Sequence, residues 1–183
     1  MASRRKGRIL AFQALYFWES SSKNLTQRVS IEELIGFDWL EEEKINALDE
    51  GIAAFSRVLI AGTIENIKEI DSLIKKHLDN WDITRLNRVD LAVIRMSVYA
   101  LMYQEEISPS IIIDEAIGIC RKFGTDDSYK FVNGVLDSIR KTLQTQAVQD
   151  PETKPDKTVM PDAAILPAAV IPHALSKKNH EKK

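Results

Sequence analysis

Residues 123–136 read FGTDDSYKFVNGVL, a stretch that holds a helix stop, a helix start and a polar, aromatic surface together. Gly124 can end the preceding helix in the left-handed conformation, and Thr125 can cap the next one. Asp126 and Asp127 then suit the positive end of its first turn. On a helical wheel Val132, Val135, Leu136, Ile139 and Leu143 form one apolar stripe. Phe131 falls about 100° off that stripe, beside Asp127, Lys130 and Gly134. Such a ring can stack on a base or pack beneath a neighbouring helix. Asn133 and Gly134 are poor residues for a helix interior and are expected to let another helix approach closely.

Working back from this stretch, Ser108 and Pro109 open a helix over 110–123 whose core face is Ile112, Ile113, Ala116, Ile117 and Cys120. Arg121 and Lys122 complement its negative end. Before it, Thr84 is expected to cap a helix reaching Gln104 that is apolar on nearly every side, which marks it as the central element. Its one charged interior residue, Arg95, needs a carboxylate partner, and Glu115 is the expected one. Apolar residues from Ile45 to Ile74 recur at three- and four-residue steps, as one long helix or as two broken near Gly62 and Thr63. His77 near the end is expected to be solvated or to complement the helix dipole. A short apolar piece at 31–35 follows a polar loop over 20–28. The first helix spans about 3–19 and separates Leu10, Ala11, Ala14, Phe17 and Trp18 from Arg5, Arg8, Phe12 and Tyr16. Guanidinium groups in line with rings suit RNA, whose phosphates they neutralise while the rings stack on unpaired bases. The same residues also fit a core completed by Phe12 and Tyr16 with solvated arginines. No strand pattern with hairpin turns is present, so the fold class is all-α.

Composition sets the limits. Five of the six prolines follow Gln146, whereas all seven glycines and every aromatic residue precede Leu136. The expected organisation is therefore a folded body over 1–146 and a disordered tail over 147–183. The apolar pieces of the tail are cut by prolines and too short to span a membrane. The single cysteine excludes an intramolecular disulfide, no metal-ligand spacing is present, and no signal peptide is legible, so the expected location is the cytoplasm. The net charge of −2 conceals +4 on residues 1–18 and +1 on the tail, which leaves −7 on the body between. A basic arm on an acidic body favours local contact with a polyanion.

Four blocks, RRKGRILAFQALYFW, VIRMSVYAL, IIIDEAIGICRKFG and DDSYKFVNGVLDSIRK, resemble the bacterial transcription antitermination factor NusB family from Arg4 to about Lys141. The most specific part is FVNGVLD after an acidic helix start. The resemblance implies an all-α fold of two small helical bundles and an adaptor without enzymatic activity or cofactor. It further implies binding of the boxA segment of nascent ribosomal RNA, as a single strand, with the ribosomal small-subunit protein NusE. RNA polymerase and other Nus factors are the implied further partners. Carried onto this chain, the RNA-facing residues are Arg4, Arg5, Lys6, Arg8 and Tyr16, then Phe123, Asp127, Lys130 and Phe131. The partner-protein surface is carried onto Trp81, Arg85, Tyr99 and Tyr103. The alternative is a NusB-like accessory domain of an RNA modification or ribosome-assembly system, itself inactive. NusB-like domains also precede RNA cytosine methyltransferase domains, but this chain has no glycine-rich cofactor loop and no second cysteine. Two departures stand out: Gly7, which costs the arm about 1 kcal/mol of helix propensity and suggests ordering only on RNA, and Ala100, where the family commonly has Glu.

Overall fold

The computed structural model describes residues 2–21, 29–78 and 82–149, and every regular element among them is helical. The helices are α1 (Ala2–Ser21), α2 (Ile31–Gly36), α3 (Glu42–Asn46), α4 (Glu50–Glu65), α5 (Ile67–Lys76), α6 (Arg88–Tyr103), α7 (Pro109–Phe123) and α8 (Ser128–Gln149), with a 3-10 turn at Ile83–Arg85. Trp81, most of the polar loop over 20–28 and the tail from residue 150 lie outside the described residues, while α8 continues past Gln146. No helix among the described residues is long and apolar enough to cross a membrane.

Helix α6 is the hub. It packs against α1, α4, α5, α7 and α8, and Leu91 to Ile94, Met96 and Val98 to Ala100 are all buried. An element wrapped on every side needs no polar face, which is why its sequence is apolar all round. Helices α1, α2 and α4 pack on one flank of it, and α7 and α8 on the other. Its cap is Asn87, whose Oδ1 accepts from the Val89 N–H at 2.9 Å. Thr84, the expected cap, lies in the 3-10 turn instead, capped in turn by Asp82.

The long apolar pattern over 45–74 divides into three helices. Ile45 belongs to α3, and Asp49 restarts the chain as α4 by accepting from the Ile52 N–H at 3.0 Å. The break between α4 and α5 falls at Asn66, whose Nδ2 returns to the Gly62 carbonyl at 2.8 Å. Gly62 therefore breaks nothing. It lies buried inside α4, where a Cβ would overlap the Tyr99 ring of α6. Gly7 also serves packing: a Cβ there would sit 2.7 Å from Phe55, and its carbonyl accepts from Ser56 Oγ at 3.0 Å. Because this contact seats α1 on α4, the arm is helical from Ala2 in the protein by itself, contrary to ordering only on RNA. His77 ends α5 half-buried, with Nδ1 2.9 Å from Ser138 Oγ on α8.

Arg95 is held by residues other than Glu115. Its Nε and Nη2 donate to Asp71 at 2.8 and 2.7 Å, and Nη1 donates to Glu19 at 2.6 Å. Desolvation opposes the charged guanidinium, and the Asp71 and Glu19 carboxylates more than offset it, so its pKa stands above the ordinary value. The fork joins α1, α5 and α6. Arg95→Ala would leave two carboxylates without their cation and should lower the unfolding free energy by about 3–5 kcal/mol in a urea titration. Arg95→Lys should recover only part of the loss, because an ammonium cannot make the two parallel bonds to Asp71.

Candidate nucleic-acid interface

The basic arm does not present one surface. Arg4, Arg5 and Lys6 are exposed, whereas Arg8 is only 4% exposed. Arg4 and Arg8 lean toward α4, their guanidinium carbons 5.9 and 5.3 Å from the Phe55 ring centroid. Arg5 turns the other way, toward α7, with Nε 3.9 Å from Glu115 Oε2 and Nη2 beside Gly118. Burial lowers the pKa of Arg8, Glu115 opposes that shift and Arg4 adds to it. The expectation that Arg8 stands on an open RNA face is therefore corrected: its side chain is an internal packing group between α1 and α4. Glu115, freed from Arg95, serves as the acid of this basic corner.

Of the two readings open for Phe12, the structure takes the core one. The residue is buried, its ring 6.3 Å from Tyr16 on one side and 5.3 Å from Phe123 on the other. It acts as a wedge joining α1 to the end of α7. Tyr16, 39% exposed, and the half-buried Phe123 remain as its accessible ends. The two stretches singled out in the sequence, one on the first helix and one after residue 122, thus meet in space through a residue that faces neither solvent nor ligand.

At the end of α7 and the start of α8 lie cations that the wheel gave no reason to combine. Lys122 Nζ is 5.1 Å from the Phe123 ring, Arg121 lies 4.9 Å over Tyr129, and Lys130 Nζ is 5.8 Å from Tyr129. Lys130 also pairs with Asp127 at 3.0 Å, which raises its pKa. Tyr129 is the residue that sequence reasoning passes over. The only available signal was a third ring in the stretch 123–131 flanked by cations. Phe131 is half-buried on the first turns of α8.

The turn carrying these groups has an internal lock. Gly124 has φ −90° and ψ −171°, extended rather than left-handed, so the expected glycine stop has another cause. A Cβ there would lie 2.7 Å from the Ser128 side chain. Ser128 occupies that space because its Oγ accepts from the Thr125 N–H at 2.9 Å and lies 3.0 Å from Thr125 Oγ1. Ser128, rather than Thr125, supplies the side-chain bond. Its hydroxyl also reaches Asp90 in the first turn of α6.

The residues carried onto a partner surface separate. Arg85 is exposed on the 3-10 turn and Trp81 lies outside the described residues. Tyr99 is 1% exposed, and burial pushes its hydroxyl up to about 12, so it is a core residue and the expectation of a partner contact is corrected. Ala100 beside it is buried too. Tyr103 is half-buried, its hydroxyl 3.1 Å from Asn66 Oδ1 and 3.0 Å from Glu69 Oε2. Among the described residues, no cluster of three His, Cys, Asp or Glu could hold a metal ion.

Comparison with known proteins places this geometry. The sequence profile of the NusB family matches residues 5–141. The transcription antitermination protein NusB of Treponema denticola is 52% identical over 137 residues, covering 75% of this chain and 95% of the relative. The structure of Thermotoga maritima NusB aligns with a TM-score of 0.66 at 35% identity, over 75% of this chain and 90% of that one. A crystal structure of the antitermination factors NusB and NusE in complex with double-stranded RNA aligns with a TM-score of 0.66 at 30% identity, over 78% of this chain and 98% of that one.

Asp90 gives a test of the lock beneath the turn. Burial pushes its carboxyl above the ordinary 3.8 and the Ser128 bond opposes the shift. Between 3.8 and the higher folded value the unfolded chain has lost a proton that the folded chain keeps, so stability falls as pH rises through that window. Asp90→Asn keeps an acceptor for Ser128 without the buried charge. It should be more stable than the parent at pH 7 by urea denaturation, and the gap should close below the ordinary carboxylate value.

Proposed function

We propose a function for a chain that belongs to the NusB family of transcription antitermination factors, which are not enzymes: it binds boxA-type RNA of nascent ribosomal RNA leaders together with the ribosomal protein NusE. The complex then joins RNA polymerase and other Nus factors in the cytoplasm. The observation that carries this reading is the ring cluster in which Phe12 joins Tyr16 of α1 to Phe123 of α7, with Lys122 over Phe123 and with Arg121 of α7 and Lys130 of α8 both over Tyr129. A structural relative has been crystallised with NusE and RNA, which supports both partners.

The RNA in that relative is double-stranded. For this chain a single-stranded segment fits better, because Tyr16 is 39% exposed at the edge of the ring cluster and stacking needs bases that a duplex keeps paired. Affinity then comes from the exposed cations Arg4, Arg5, Lys6, Lys122 and Lys130, and selectivity from Tyr16, Phe123 and Phe131. Asp127 tempers Lys130 through their ion pair. Arg85 and the rim of Tyr103 are the accessible groups for NusE among the carried positions that the structure describes.

Fluorescence anisotropy with a labelled single-stranded boxA RNA, with and without NusE, tests this directly. Arg5→Ala should weaken binding and reduce the slope of log K against log salt by about 0.7, the value for one phosphate contact on a single strand. Phe131→Ala should remove about 1–3 kcal/mol of stacking. Arg8→Ala should instead lower the melting temperature and leave the salt slope unchanged. Equal affinity for a duplex of the same sequence would sink the single-strand reading, and unchanged binding in both Arg5→Ala and Phe131→Ala would remove the site.

A further inference from the structure

Gly134 sits in the interior of α8, one turn after Lys130 and Phe131, and the fold gives no reason for a glycine there. The residue is exposed, and a Cβ built on it meets nothing within 4 Å. The close helix packing expected of Asn133 and Gly134 is therefore absent: both face outward. Conformation does not call for glycine either, since no glycine among the described residues has a positive φ. Alanine would fit and would favour the helix. What remains is a bare, open step of helix backbone that an external partner can approach closely.

The neighbours on the same face say what that is. Lys130 and Phe131 lie one turn before Gly134, and Asp137, Ser138 and then Lys141 follow it. Asp137 is neutralised by Arg140 at 2.7 Å and Lys141 at 2.9 Å, and Lys141 is exposed. The face thus runs from Lys130, past a ring, a side-chain-free step and the charge-paired Asp137, to Lys141, over about 16 Å of helix. On the flank of Asn133 a groove of about 430 Å³ opens between the start of α7 and the middle of α8, lined by Asp114 and by the paired Asp137 and Arg140, so that, among the described residues, Asp114 is its acid without a cation partner. A phosphate chain would keep to the Lys130, Gly134, Lys141 line.

We propose that the RNA strand engaged at Lys130 and Phe131 continues along α8, its sugar–phosphate backbone lying directly against the helix at Gly134 and ending near Lys141. This rests on the RNA-binding reading above and extends its site by about three turns of helix. Any side chain at position 134 would stand between the strand and the helix, and glycine avoids this at the expense of helix propensity.

The test uses the full chain with NusE and the same labelled single-stranded boxA RNA. Gly134→Ala and Gly134→Leu should melt at or above the parent temperature, since both residues favour the helix and neither meets a neighbour. Gly134→Leu should weaken RNA binding about tenfold or more, by lifting the strand from the adjacent stack. Gly134→Ala should weaken it less, and Lys141→Ala should lower the salt slope by about 0.7. Three results would overturn the proposal: Gly134→Leu binding RNA like the parent while Phe131→Ala is impaired, both glycine variants melting below the parent, or Gly134→Leu losing NusE while keeping RNA. The last would assign the bare step to a protein partner. Failure of Arg5→Ala and Phe131→Ala to weaken binding would be a different outcome, one that removes the underlying RNA reading itself.

Discussion

The Arg95 fork is the joint on which the molecule depends. Its guanidinium lies on the hub helix α6, and its two carboxylates come from the end of α1 and from α5. A buried cation with one acid would be a weak device, because desolvation nearly cancels the attraction. Here three donors meet two carboxylates in bidentate and single contacts, so the charge is satisfied and the helices are fixed in angle. Ser20 Oγ beside Arg88 at 3.3 Å adds a second tie between α1 and α6. With the end of α1 pinned, Gly7 can seat its beginning on α4 and Phe12 can reach Phe123 on α7.

The exposed rings and cations of the proposed interface are held by residues that are not exposed themselves. Phe12 carries Tyr16 and Phe123 at its two edges. Ser128 braces the turn between α7 and α8 from below and connects it to Asp90 on α6. Arg8, buried beside Phe55, supports the arm that displays Arg4, Arg5 and Lys6. Such a plan suits a protein that binds a polyanion without doing chemistry. Rigid placement of a few cations and rings limits the entropy lost on binding, while the acidic remainder of the body discourages contact elsewhere.

The cations themselves are shared out rather than massed. Arg5 keeps a loose contact with Glu115, Lys130 a closer one with Asp127, and Arg140 and Lys141 both hold Asp137. Exposed pairs of this kind contribute little stability. Their effect is to keep each cation oriented and to lower the net field of the surface, so that a strand bound as proposed would have to displace or share an internal partner.

Period and composition determined a good deal of this protein from the sequence alone. The all-helical class, the hub helix around Val93 and Val98, the Ser108–Pro109 helix start and the core stripe of α8 follow from 3.6-residue spacing, which reports which face is buried without saying against what. What the sequence left undecided was the identity of each neighbour. Arg95 chose Glu19 and Asp71 over Glu115, Arg8 and Phe12 turned inward, and Tyr99 packed on Gly62. Of the glycines read as breakers or packers, Gly62 makes room for Tyr99, Gly124 makes room for Ser128, and Gly134 stands open. Apart from the local contact of Gly124 with Ser128, the contacts named are long-range. A wheel fixes the direction of a side chain about its own helix axis, whereas the partner it meets depends on how the helices cross, and only the folded chain decides that.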